Sequence, residues 1–457
     1  MNKPLRTFTG LSEVVESTLW GLFLVLIFGA SFIEGGYAET QWLIYSAVYY
    51  GWLSFLLLFL LIRGPFKKRS LTSAKWVLVL FLISLVWLAL PLYIPVNHDL
   101  NDMLVSPRLG GYLKPDWFSP SFIWSVSPER TRSLLLSELL MLCTFVALLV
   151  LLNSRKRVKQ ILYLFLLVGV VHALIGIFGV FANVLFVDAK EIDGHYSAAR
   201  GLFVNRNHYA AFLILILFGS CSFTLTSVIS NTGNKQFHRV LMIAFSLLIL
   251  AGIFLSQSRG AALSLLVGVA CAVFLALIKG IKVSKLTILI VTIAVILTLS
   301  YFGQILLHRF SAEALSLGER TLQWRVTLEA IFTNPWLGYG GGSYVTVFQI
   351  FRTDVELREV VFAQAHNHYL HLWLERGLIG LLLWLITIGL VIVRCLAKLK
   401  VVTSSLIRSV LIAGLIVMIS ALTQSLVDYN LQNLNIRFYF FVMLGVMYSA
   451  PYVKHKK

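Results

Sequence analysis

The chain is short of charge. Only 13% of its 457 residues are Asp, Glu, Lys or Arg, about half the share of an ordinary soluble domain. Acids are the scarcer kind, 20 against 38 Lys and Arg, for a net charge of +18. Four cysteines, Cys143, Cys221, Cys271 and Cys395, lie in or beside apolar segments without metal-ligand spacing. They read as small hydrophobes, not as a disulfide framework or a metal site. There is no nucleic-acid module, no low-complexity tract and no repeat with a period of about 20–50 residues. What the chain has instead is apolar: 58% hydrophobic residues and a mean hydropathy of +0.85. A soluble protein of this size has no interior large enough for that surface. A water-soluble enzyme, a secreted disulfide scaffold and a disordered chain are excluded, and a polytopic membrane protein remains.

A spanning helix needs about 20 apolar residues. Apolar runs predict twelve spans, near 17–34, 41–62, 76–95, 133–152, 161–186, 209–230, 240–256, 261–278, 286–303, 377–394, 406–427 and 437–453. The first follows Met1–Arg6 without a small-residue cleavage site and reads as a retained signal anchor. The expected fold is all-α and polytopic. Spans one to nine occupy 1–303 with substrate-binding outer turns. A long outer loop with amphipathic helices fills 304–376, and spans ten to twelve fill 377–457.

Charge gives the orientation. Alternate inter-span segments hold 23 of the 38 Lys and Arg, among them Arg63, Arg155–Lys159, Lys279–Lys285 and Lys454–Lys457, with only Glu13 and Glu16 as acids. Positive loops stay in the cytoplasm, so both termini are expected there. The basic excess is then a topology signal and no nucleic-acid footprint. Glu138 is the one carboxylate inside an expected span.

Polar residues with chemical potential gather on the opposite face. Before span six runs Ser197-Ala-Ala-Arg200-Gly-Leu-Phe203-Val-Asn205-Arg206-Asn207-His208. Two readings stand open. The arginines anchor to lipid headgroups, or guanidinium forks and asparagine amides bind an anion such as phosphate. Ser256-Gln-Ser-Arg259-Gly260 is a tight turn between apolar spans, and Arg259 is the only charge between Arg239 and Lys279. In the long loop, Leu317, Thr321, Trp324, Leu328 and Ile331 form a helical stripe, with Arg325 and Glu329 beside it. Asn334-Pro335 ends that helix. Gly338-Tyr-Gly340-Gly-Gly342-Ser343 then either packs against the helix or offers backbone N–H groups to phosphate. Ala365-His366-Asn367-His368-Tyr-Leu-His371 leads into span ten. His368, His371 and Glu375 have zinc-like spacing, while a neutral imidazole is the better-fitting acid–base group. Trp117, Phe118, Phe122 and Trp124 suit sugar stacking or an interfacial aromatic belt equally.

Taken in order across about 197–380, these motifs resemble the O-antigen ligase and polymerase superfamily. The matches are Arg200-Gly201…Asn205-Arg206-Asn207, Ser258-Arg259-Gly260, Arg325…Pro335-Trp-Leu-Gly338-Tyr-Gly340-Gly-Gly-Ser343-Tyr344, and His366-Asn367…Leu370…Gly377-Leu-Ile-Gly380. The family often has Pro where Arg206 stands and Phe or Leu where His208 stands, which leaves Arg200 and Arg206 as rivals for the main phosphate ligand.

The resemblance implies a bacterial inner-membrane glycosyltransferase with its active site at the periplasmic face. It would take a glycan from undecaprenyl pyrophosphate to a glycan, lipid A core or protein acceptor, by inversion and without metal or other cofactor. Arg200, Arg259 and His366 would be catalytic. Asn205, Arg206, Asn207, Arg325 and Asn367 would bind substrate. Ligation, polymerisation and protein O-glycosylation share these motifs. A twelve-span transporter or flippase is the competing class, but such proteins usually carry repeats and charged or broken helices near the midplane.

Overall fold

The computed structural model describes residues 4–33, 39–63, 69–93, 105–106, 111–112, 125–184, 186, 198–222, 235–278, 314–352 and 362–453. Its helices are α1 (Pro4–Ala30), α2 (Glu39–Arg63), α3 (Arg69–Ser73), α4 (Lys75–Ala89), α5 (Pro128–Leu151), α6 (Arg155–Ala182), α7 (Arg206–Ser220), α8 (Lys235–Leu255) and α9 (Arg259–Ile278). They continue as α10 (Ala314–Thr333), α11 (Tyr344–Phe351), α12 (His368–Val401), α13 (Ser405–Gln424) and α14 (Leu434–Ser449). The described strands are a two-residue antiparallel pair, Val105–Ser106 with Gly111–Tyr112.

Eleven of the twelve expected spans fall on helices, and the ninth, 286–303, lies outside the described residues. Seven helices among the described residues are long and apolar enough to cross a membrane: Ser12–Ala30, Thr40–Arg63, Lys75–Tyr93, Pro128–Leu151, Arg155–Ala182, His368–Val401 and Ser405–Gln424. Val240–Leu255 and Arg259–Leu275 are shorter apolar helices. α7 and α14, at 15 and 16 residues, fall below the roughly 20 that span a bilayer unaided.

Those two short helices are the centre of the bundle. Every side chain from His208 to Ser220 and from Asn435 to Ser449 is buried. An all-round apolar helix belongs in a core or in lipid, and here neighbouring helices cover it. α7 packs on α6, α8, α9, α13 and α14, while α14 packs on α5 and α13. The periphery is the reverse. Along α2, Leu43, Ile44, Val48, Phe55, Leu61 and Ile62 are all exposed, a surface that only hydrocarbon leaves uncharged for that length.

Two charge clusters fix the ends. Glu16 on α1 pairs with Arg63 at the end of α2 (2.6 Å) and Arg157 at the start of α6 (2.8 Å). All three come from the expected cytoplasmic set, so those helix ends do lie together. Towards the other end, Glu138 on α5 takes both Arg376 of α12 (2.6 Å) and Arg437 of α14 (3.0 Å) on one carboxylate oxygen. Both guanidinium groups are only 7% exposed. Removing one partner from such a group strands buried charge, which costs about 3–5 kcal/mol. Glu138→Ala should therefore lose about that much stability when unfolding is followed in mixed micelles, and a wild-type unfolding curve would disprove the coupling.

Above the bundle, α10 and α11 form a small second core. Val326, Ala330, Ile331, Tyr339, Tyr344, Val347 and Phe348 cluster with Leu374 of α12. This corrects the expected stripe on α10. The buried face is Gln323, Val326, Thr327, Ala330 and Ile331, while Thr321 is exposed and Trp324 and Leu328 are half-buried. Thr327 enters that face because its hydroxyl is paired: it lies 3.0 Å from the Tyr344 hydroxyl and donates to the Gln323 backbone carbonyl.

Candidate functional site

The glycine-rich segment packs against α10 and α12. Its N–H groups are used internally: Gly338 donates to Asn334 O, Tyr339 to Leu374 O and Gly340 to Glu375 O. It meets α12 where that helix breaks. Gly377 has φ +66° inside His368–Val401, and a Cβ there would lie 2.1 Å from the Trp336 carbonyl oxygen. Only glycine combines that backbone with that approach. The break explains why the apolar run seemed to start at 377: a helix from His368 precedes the expected span and joins it at the kink.

Three other motifs are drawn together at one end of the bundle, each held by backbone contacts. The Arg200 loop docks on the end of α8 through Ala199 N–H to Leu255 O, 2.8 Å. Arg200 is 7% exposed and its Nη1 donates to Val204 O at 3.1 Å. Asn205 caps α7, its side-chain oxygen accepting the Asn207 N–H at 2.7 Å. Arg206 is the first residue of that helix, and it and Asn207 are half-buried.

α8 ends at the Ser256–Ser258 turn. Gln257 there has φ +55°, and the Ser258 hydroxyl accepts from Ala261 N–H at 3.3 Å, which starts α9 with Arg259 in its first turn. The next residue, Gly260, faces Gln424 and Val427, so the turn sits on the end of α13. Asn367 caps α12 with its side-chain oxygen on Tyr369 and Leu370 N–H. Its amide donates to Leu426 O at 3.0 Å, and His368 N–H donates to Ser425 O at 2.9 Å. The chain 424–429 is therefore the hub on which the Arg259 turn and the His366 segment both rest. The N-terminal ends of α7, α9 and α12 meet there, each presenting the positive end of a helix dipole.

His366 is the unusual member. Its φ is +48°, a conformation that costs a non-glycine residue of order 1–3 kcal/mol and persists only where the surroundings impose it. Its Nδ1 lies 3.7 Å from Oδ1 of Asp428. That is long for a hydrogen bond, but catalytic contacts are often loose before substrate binds. The His366 side chain is 28% exposed and that of Asp428 is 2% exposed. With Nδ1 turned to the carboxylate, the imidazole has its other nitrogen for an outside group. Burial pushes the Asp428 carboxyl up, but His366, the charge of His208 and the Tyr429 N–H outweigh it and hold the group below the usual carboxylate range. Asp428 is therefore ionised at neutral pH. Its stabilising effect is present above the unfolded carboxylate range and is lost only as pH falls through its lowered value.

Asp428 and Tyr429 belong to none of the sequence motifs. Arg325 stands apart. It is 57% exposed and lies 3.9 Å from Glu329, although its neighbour Trp324 donates to Ala365 O at 2.9 Å and so braces the His366 segment. The alternative metal trio does not assemble. His371 Nε2 meets Glu375 at 3.1 Å, while His368 sits against the Trp384 ring. Among the described residues no group of three His, Cys, Asp or Glu converges for a metal ion. Trp117, Phe118, Phe122 and Trp124 lie outside the described residues.

Residues 244–385 match the family model described as O-antigen ligase. The match takes in Arg259, Arg325, the glycine-rich segment and His366-Asn367, and leaves the Arg200–His208 loop and Asp428 outside it. No curated protein matches the chain.

Proposed function

Because residues 244–385 make the chain a member of the O-antigen ligase superfamily, we propose that it is a multi-pass inner-membrane glycosyltransferase. It moves a glycan from undecaprenyl pyrophosphate to an acceptor hydroxyl at the periplasmic face, as an O-antigen or exopolysaccharide ligase or polymerase. The observation that carries this reading is that the loop of Arg200, the turn of Arg259 and the His366–Asp428 pair lie at one end of the bundle.

The chemistry follows from those groups. Asp428 orients His366 and stabilises it once protonated. The free nitrogen of His366 takes the proton from the acceptor hydroxyl as that oxygen bonds to the anomeric carbon. The bond from that carbon to the pyrophosphate oxygen breaks in the same displacement, with inversion. Arg200 and Arg259, with Arg206 as a neighbour, take up the negative charge that grows on the leaving pyrophosphate. The converging helix N-termini add to that field. Pyrophosphate is already a good leaving group, so the step asks for no metal. Asn367 acts by fixing His366 to its base, and Asn205 by fixing the Arg206 end of α7.

The test is transfer itself. The protein in liposomes receives an undecaprenyl-pyrophosphate glycan and, in separate arms, lipid A core, a second lipid-linked repeat and a Ser/Thr-bearing acceptor protein. Product in one arm identifies the acceptor. Product in none, together with unchanged surface and secreted glycans after deletion of the gene, overturns the reading.

A further inference from the structure

A small cavity lies between α5, α12 and α14, beside the start of α12. Glu138, His368, Arg376 and Arg437 line it, with Trp384 and Phe440. It has room for about one water-sized particle. The charges on its wall do not balance: two guanidinium groups share one carboxylate oxygen, at 2.6 and 3.0 Å. Those contacts use Nη2 of Arg376 and Nη1 of Arg437, while Nη2 of Arg437 goes to the Ser137 hydroxyl at 3.2 Å. Among the described residues, Nε of each arginine and both ring nitrogens of His368 have no hydrogen-bond partner, although all are buried. The neighbouring carboxylate, Glu375, is taken up by His371 Nε2 at 3.1 Å and by the Tyr344 N–H at 3.3 Å.

We propose that this cavity binds one small monovalent anion, chloride being the one at hand in a cell, and that the anion ties α5, α12 and α14 together.

Buried charge that lacks a counter-charge is costly, and a single chloride balances the excess on the wall. An imidazole carries an N–H in either neutral tautomer. His368 and the two Nε–H groups are therefore a set of buried donors in need of an acceptor, and hydrogen bonds from cations to an anion are the strong kind. A water molecule would accept from two of these donors but leave the charge as it is. A phosphate group is too large for the space, and a cation would meet two arginines. His368 also gives its backbone N–H to Ser425 O at 2.9 Å. The residue that faces the anion thus rests on the same chain as the His366 segment.

The experiment is thermal unfolding of the full-length protein in detergent micelles, with sodium gluconate replaced stepwise by sodium chloride at a constant ionic strength of about 0.15 M. The midpoint should rise by a few degrees and level off as the site fills. Bromide should act in the same way, and crystals grown in bromide should show its anomalous density among His368, Arg376 and Arg437. His368→Phe removes one donor and keeps a ring, so half-saturation should need about tenfold more chloride. Glu138→Gln leaves both guanidinium groups without their carboxylate, so the chloride-dependent rise should grow. Equal midpoints in gluconate and chloride, or no bromide at that position, overturn the inference and leave water as the occupant. An equal rise in wild type, His368→Phe and Glu138→Gln also overturns it, because that is chloride acting on the surface. Should His368→Phe fail to insert, His368→Leu carries the same comparison. None of these outcomes touches the transferase reading, whose test is product formation.

Discussion

His366→Ala should lower glycan transfer about a thousandfold, with the protein still inserted and folded. A positioned general base contributes about 10²–10⁴ in rate, and His366 is the imidazole whose ring is both oriented by a buried carboxylate and open to the outside. The loss should fall on kcat rather than on donor binding, because the base acts on the acceptor proton and not on the pyrophosphate. Asp428→Asn should lose most of the same factor, since the amide keeps the shape but neither fixes the imidazole nor balances its positive charge. The double variant should be little worse than His366→Ala, as for residues that work as a unit. The measurement is initial rate at saturating lipid-linked donor. Near-normal transfer by correctly inserted His366→Ala removes the base from this mechanism. Additive losses in the double variant break the pair.

Arg259→Ala should lower transfer by about 10²–10³, the range for removing one preorganised group that stabilises transition-state charge. Arg200→Ala belongs to the same class. The two differ in setting: Arg259 opens helix α9 and stands half-buried, whereas Arg200 is 7% exposed and already spends one N–H on Val204 O. Lysine should rescue either poorly, because a point charge does not reproduce two parallel hydrogen bonds to phosphate. Arg325→Ala should cost far less, given an exposed side chain 3.9 Å from Glu329. The comparison requires kcat and KM for the lipid-linked donor in all three variants. If Arg325→Ala proves the most damaging, the pyrophosphate lies towards α10 and the arrangement around residues 424–429 is not its cradle.

Much of the architecture was legible because it depends on solvent transfer alone. An apolar run of the right length must leave water, so eleven of the expected spans coincide with helices. The pairing of Glu16 with Arg63 and Arg157 likewise agrees with the charge alternation that placed them on one side. Where hydrophobicity was the only guide, detail was lost. The stripe on α10 differs from the expected one because Gln323 and the paired Thr327 are buried there. The expected start of span ten at Gly377 is in fact a break inside α12, because a glycine at a helix break looks the same in sequence as a glycine at a helix start.

The site divides in the same way. The local order of residues by itself determined the Arg200–His208 loop, the Ser258-Arg259-Gly260 turn and the His366-Asn367 cap, since each is a short segment whose polar residues have few other uses beside a membrane. That Asp428 stands at His366, that Tyr429 lies between His366 and His208, and that the Arg259 turn rests on Gln424 and Val427 were decided only by the packing of α7, α9, α12 and α13. No periodicity links such distant positions. Burial brings them together, because the apolar faces of those helices leave lipid for one another only when they pack.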